Sequence, residues 1–109
     1  MPFEKVVNAA ENSSLVVSAY KGDIQIGYLR VVSDRTSFAW VCDVFVTPKH
    51  RGKGIAKAMV NFALTHPDHQ DMRRWLLATK DAHEIYATCG FEPIKAISRW
   101  MVRGANPAD

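Results

Sequence analysis

An α/β fold on a mixed, mostly antiparallel sheet is what this sequence predicts, and three observations predict it. Three successive segments, Leu15 to Tyr20, Ile24 to Val32 and Phe38 to Val46, are rich in β-branched and aromatic residues. They are separated by the short polar turns Lys21-Gly22-Asp23 and Ser33-Asp34-Arg35-Thr36, the pattern of an antiparallel meander. The third segment then runs through a glycine-containing loop into a helical pattern, Gly54 to His66, followed by a further apolar segment, Arg74 to Thr79. A strand, a crossover helix and a second strand make a parallel pair, so the sheet is mixed and carries helices on its faces.

The remaining elements follow from local pattern. Pro2 to Asn12 reads as a helix with Phe3, Val6, Val7 and Ala10 on one face, and the polar run Asn12-Ser13-Ser14 ends it. Gly27 marks a bulge in the second strand. The helix from Gly54 should bury Ile55, Met59, Phe62 and Ala63, and Pro67 stops it. Asp81 is placed to cap a helix over Ala82 to Cys89, with Glu84 as capping-box partner and Gly90 as terminator. Ile97 to Val102 reads as a last strand, and the polar residues 104–109 as a disordered tail. One domain over residues 1–103 is therefore expected.

Composition narrows the classes of function. With 109 residues, nearly half of them apolar, the chain has material for one core. No apolar run approaches the ~20 residues that cross a bilayer, and the N-terminus lacks a signal-peptide pattern, so a cytoplasmic protein away from membranes is expected. Cys42 and Cys89 form no Cys-x-x-Cys pair, and His66 and His69 flank Pro67 without a metal-site spacing, so no metal is expected. The formal charge of +3 is modest, and its cations gather between Lys49 and Lys57. That points to a local anionic ligand and away from a nucleic-acid surface.

The most informative segment is Asp43-Val44-Phe45-Val46-Thr47-Pro48-Lys49-His50-Arg51-Gly52-Lys53-Gly54-Ile55-Ala56. An apolar strand passes through a basic turn into a helix N-terminus, where unpaired backbone N–H groups and the positive end of the dipole attract phosphate. Two familiar phosphate motifs fail. A Walker loop needs Ser or Thr after Gly-Lys, and Gly54 is followed by Ile55; a dinucleotide fingerprint needs three glycines and a distant acid.

The residues do match Arg/Gln-x-x-Gly-x-Gly/Ala, as Arg51-Gly52-Lys53-Gly54-Ile55-Ala56 after Val46-Thr47-Pro48. This resembles the pyrophosphate-binding motif of the GNAT superfamily of acetyl-CoA-dependent N-acyltransferases. A later stretch, Leu76-Leu77-Ala78-Thr79-Lys80-Asp81-Ala82-His83, leads to Tyr86-Ala87-Thr88-Cys89-Gly90-Phe91 and resembles the family's Tyr-x-x-x-Gly-Phe motif. The likeness runs from about Glu11 to Met101 and is closest to small, single-domain bacterial-type members.

The resemblance implies a sheet in which the strands ending at Val46 and Thr79 splay apart to admit the pantetheine arm. It implies that Val44, Phe45 and Val46 offer backbone groups to pantetheine and the thioester oxygen, and that Arg51, Gly52, Lys53, Gly54, Ile55 and Ala56 cradle the pyrophosphate. Thr79 and His83 are expected beside the coenzyme, although His83 in a first helical turn is also simply solvated. Acetyl-CoA is the implied co-substrate and a primary amine of a small molecule or peptide the acceptor, attacked without a covalent enzyme intermediate. Tyr86 matches the family's general acid; on its helix stripe with Ala82, Ile85 and Cys89 it equally reads as a core tyrosine. Asp43 matches a position where members place a base, and equally reads as a structural hydrogen-bond acceptor. Trp40, Trp75 and Trp100 are candidates for an acceptor wall or for the core. Most members carry a strand and helix ahead of the position of Pro2, so an exposed edge at Leu15 to Tyr20 and a covering homodimer are expected. An acyl-CoA-binding module without turnover is the alternative function.

Overall fold

The computed structural model describes residues 2–104. They form two compact units, one ending at Leu77 and the other beginning at Ala78. In the first unit, helix α1 (Phe3–Glu11) precedes strands β1 (Leu15–Lys21), β2 (Ile24–Ser33) and β3 (Phe38–Val46). A 3₁₀ turn at Pro48–His50, helix α2 (Ile55–Thr65), a second 3₁₀ turn at Pro67–His69 and strand β4 (Arg74–Leu77) complete it. The sheet order is β1-β2-β3-β4, antiparallel across the first two pairs and parallel between β3 and β4. This is the expected mixed α/β architecture, and the boundaries of β3 are those the pattern predicts.

The core lies where sheet and α2 meet. Leu29, Val31 and Ala39 from the strands and Val60 and Ala63 from α2 are all fully enclosed, with Met59 nearly so. Each enclosed Leu or Val contributes about 1.5–3 kcal/mol relative to exposure. Phe62, expected inside, is 56% exposed, and Val60 takes its place. Over so short a helix the buried stripe is narrow, and Met59, Val60 and Ala63 fill it. On α1 no residue is buried, and Phe3 is exposed. Val6 lines a cavity of about 360 Å³ with residues 25–28 of β2 and Phe45 of β3.

Two bulges shape the sheet. Between β1 and β2 the register shifts between Ala19 and Tyr20, so Ile26, next to the expected Gly27, is the extra residue. Between β2 and β3 the register passes from Tyr28↔Phe45 to Arg30↔Cys42, setting Asp43 and Val44 against the single residue Leu29. Asp43 holds φ at 56° there. Aspartate is one of the few non-glycine residues that tolerates this left-handed region, and a bulge bends a strand and increases its local twist.

The second unit contains helix α3 (His83–Ala87) and a 3₁₀ turn at Ile97–Arg99. Asp81 does not cap α3: Ala82 is the N-cap, and the Ala82 N–H donates to Thr79 Oγ1 at 3.2 Å. The threonine hydroxyl is already within reach of that donor, so the aspartate is not needed. Gly90 does close the helix, with φ 96° and the Phe91 N–H donating to the Tyr86 carbonyl. The strand expected at Ile97 to Val102 is absent. Arg99 and Trp100 donate to Ala96 and Ile97 carbonyls instead, and Ile97 and Met101 are 72% and 97% exposed, so neither a ladder nor a buried face organises the segment. Of the expected tail, residues 105–109 lie outside the described residues.

Candidate active site

The site is built from the end of β3. Parallel pairing with β4 stops at Val41↔Leu77, immediately before the Asp43 bulge, while β3 continues to Val46. The Thr47 N–H donates to the Ile26 carbonyl at 2.8 Å, so Thr47 addresses β2. Val46, one residue earlier, addresses the opposite side, and by the two-residue period so does Val44. β4 provides no ladder partner at these positions. β4 ends at Leu77, two residues short of the expected Thr79, and β3 outruns it with backbone groups that no ladder to β4 engages.

From Thr47 the chain makes its 3₁₀ turn and reaches Gly52 and Gly54 at φ 77° and 83°. Gly54 is the N-cap of α2, no side chain caps that end, and the first helical bond runs from the Ala58 N–H to the Gly54 carbonyl at 3.0 Å. The amides of Ile55, Ala56 and Lys57 are thereby presented at the helix start. A Cβ built on Gly52 or Gly54 meets nothing within 4 Å, so open space lies over both. Backbone donors, a helix dipole and open space together make a phosphate cradle.

Arg51 braces this loop as well as charging it. Its Nε donates to the Val46 carbonyl at 2.9 Å, and its guanidinium carbon lies 5.6 Å from the Phe45 ring centroid. The Val46 carbonyl is thus already engaged, and the two terminal guanidinium nitrogens are the part of Arg51 that can address a ligand. Asp43 pairs with Arg30, Nε to Oδ2 at 2.7 Å, and Arg30 reaches Ser13 Oγ at 3.3 Å. The aspartate side chain is 60% exposed, and the hydrogen bond to it raises the Arg30 pKa.

Thr79, His83 and Tyr86 belong to the second unit. The Thr79 carbonyl accepts from His83 Nε2 at 3.2 Å, which places the histidine proton on that nitrogen. Tyr86 is 7% exposed, stacked edge-on to Phe91 with centroids 6.4 Å apart. Its hydroxyl makes no hydrogen bond among the described residues. Burial first, then Cys89 and Asp81, pushes the phenol pKa up. Of the tryptophans, Trp40 and Trp100 are 48% and 40% exposed and so are not core, whereas Trp75 is half-buried against His69.

Several residues of this region escape a reading by motif. Lys21, which lies far from the loop in sequence, stands at the same end of the sheet and with Lys53 and Lys49 depresses the His50 pKa, behind the larger effect of partial burial. Counting residues along the hairpin, with Lys21 opposite Ile24, would have found it. Buried His69, only 1% exposed, lies 2.7 Å from Ser14 Oγ and was legible only as a loop histidine.

Comparison with known proteins agrees with this geometry. Residues 12–93 match the acetyltransferase (GNAT) domain family. A solved structure of a candidate acetyltransferase of the GNAT family from Xanthomonas campestris pv. campestris is 40% identical with a TM-score of 0.90, over 99% of this chain and 75% of that one. A candidate acetyltransferase of Gibberella zeae is 31% identical over 73% of this chain and 50% of its own length. The histone acetyltransferase TAP1 of Glycine max is 30% identical over 84% and 45%. The chain thus spans about half the length of the curated relatives it matches. No helix among the described residues is long and apolar enough to cross a membrane. A parallel strand that outruns its partner, a double-glycine cradle at a helix start and a family match over most of the sequence converge: the chain belongs to the GNAT acetyltransferase family.

Proposed function

We propose that the protein is an N-acetyltransferase that moves an acetyl group from acetyl-CoA to a primary amine of a small molecule or peptide. The observation that carries this is the cradle at Arg51 to Ala56, opening at the point where β3 outruns β4. In this reading the pyrophosphate lies on the amides at the start of α2 with Arg51 and Lys53. The backbone of Val44 to Val46 holds the pantetheine arm and polarises the thioester carbonyl, and Thr79 and His83 sit beside the coenzyme. The neutral amine attacks the thioester carbon and the C–S bond breaks. The amine's proton leaves to Asp43 directly or through water, and the thiolate takes a proton from Tyr86. A tyrosine whose pKa is raised holds its proton at neutral pH, as an acid must. Asp43 is half-committed to Arg30, so its carboxylate acts while that pair is held. The protein works in the cytoplasm without a metal, a membrane or a nucleic acid.

We also propose a homodimer in which a second copy covers β1. Val16 and Tyr20 on that outer strand are 41% and 61% exposed, and beside it a groove of about 530 Å³ is lined by Val17, Ala19, Ile55, Met59 and Phe62. The function is tested by incubating the protein with acetyl-CoA and a panel of amines, amino acids and lysine-containing peptides while measuring free thiol. Amine-dependent thiol release is expected. Coenzyme binding with no release on any amine would instead establish the binding module without turnover.

A further inference from the structure

We propose that Lys21, His50 and Lys53, with Lys49 beside them, form a second anion subsite that reads the 3′-phosphate of the coenzyme; this rests on the reading that the pyrophosphate occupies the adjacent loop. The arrangement follows from the hairpin. β1 ends at Lys21 opposite Ile24, and two residues on, the Ile26 carbonyl receives the Thr47 N–H, so the β1–β2 turn and the loop after β3 share one end of the sheet. His50 sits in the 3₁₀ turn with Nδ1 2.8 Å from Thr47 Oγ1. With that hydroxyl donating, the ring proton lies on Nε2, a donor that neutral histidine can offer to an anion.

The group is uncompensated. Among the described residues none of Lys21, Lys49 and Lys53 is in an ion pair, and the one carboxylate in the β1–β2 turn, Asp23, pairs with none of them. All three lysines are exposed, so their ammonium groups are available to a ligand. The field they make is felt at His50, whose pKa falls through burial first and then through Lys53, Lys21 and Lys49. Like charges gathered without an acid repel one another, and an anion between them removes that cost. Coenzyme A carries two anionic centres, the pyrophosphate and a ribose phosphate monoester of nearly two charges at neutral pH. The helix start and Arg51 serve the first. The cations beside it, Lys21 from the β1–β2 turn with Lys49 and His50 from the 3₁₀ turn, and Lys53 shared with the pyrophosphate loop, match the second.

Calorimetric titration of coenzyme A and of 3′-dephospho-coenzyme A into the wild type and into the K21Q/H50Q variant tests this. Charge-assisted contacts to one phosphate predict that the wild type binds coenzyme A about tenfold or more tightly than the dephospho form. In the variant, coenzyme A affinity should fall toward that of the dephospho form, whose own affinity stays unchanged. Equal affinity of the wild type for both forms, or a preference that survives in the variant, overturns this subsite and leaves the acetyltransferase reading intact. Failure of both forms to bind overturns the two together.

Discussion

Asp43 does two jobs at one position, and they can be separated by substitution. Its left-handed backbone forms the bulge, and its carboxylate pairs with Arg30. Asparagine tolerates the same φ, so Asp43→Asn should leave the fold intact while removing the proton acceptor. The expected outcome is a folded protein whose turnover falls while acetyl-CoA affinity is kept, measured by kinetics beside calorimetry; a variant that simply unfolds would assign Asp43 to structure alone. Tyr86→Phe isolates the other proton. General-acid catalysis predicts a fall in turnover of about 100-fold or more, with acetyl-CoA affinity unchanged, measured by steady-state kinetics beside calorimetry. Unaltered turnover would return Tyr86 to a packing role. The residue types at both positions were legible in the sequence because the family motif names them. Their partners were not, since the Arg30 contact depends on a cross-strand register that skips a residue.

Between elements, His69 ties the second 3₁₀ turn to the start of β1. Ser14 Oγ donates to the Val31 carbonyl at 3.0 Å, so His69 Nε2 must be the donor in the 2.7 Å contact with Ser14. Nδ1 is then an unprotonated, buried acceptor without a hydrogen-bond partner among the described residues. The ring stacks toward His66 and Trp75, with centroids at 5.7 and 5.9 Å. Burial first and His66 next lower its pKa, outweighing Asp68. The folded state therefore favours the neutral ring. Its contribution to stability is complete above the unfolded histidine pKa of ~6.5 and is lost as pH falls from there toward the depressed folded value. Denaturant titrations from pH 7.5 to 5 should show stability falling with pH by up to about 1.4 kcal/mol per unit. His69→Gln should reduce that slope, leaving the part that His50 supplies, and a slope unchanged in the variant would contradict the assignment. Strand and helix boundaries in this unit were readable to within a residue from apolar period and turn residues, except that β4 ends at Leu77 and not at Thr79. The last strand was misread because Ile97 to Val102 has strand-like composition, while local i→i+3 bonds and exposed apolar side chains decide its conformation.

At the scale of the whole molecule, the exposed β1 edge predicts assembly. Light scattering at micromolar concentration should give a dimer mass, and Val16→Lys, on an exposed position of that strand, should shift it to the monomer; a monomeric wild type would refute the arrangement. The fold class was legible as a whole, because a meander followed by a crossover helix allows few other sheets. The cationic end of that sheet was not, because Lys21 joins the loop only after the hairpin folds back. Acetyl transfer by this protein requires coenzyme binding at the loop between β3 and α2. Titrating acetyl-CoA into the wild type and into Arg51→Glu by calorimetry tests it. Saturable binding at one site per chain, weakened at least about tenfold by the substitution, is the predicted result. An absence of binding by the folded wild type, or affinity indifferent to Arg51→Glu, would contradict it.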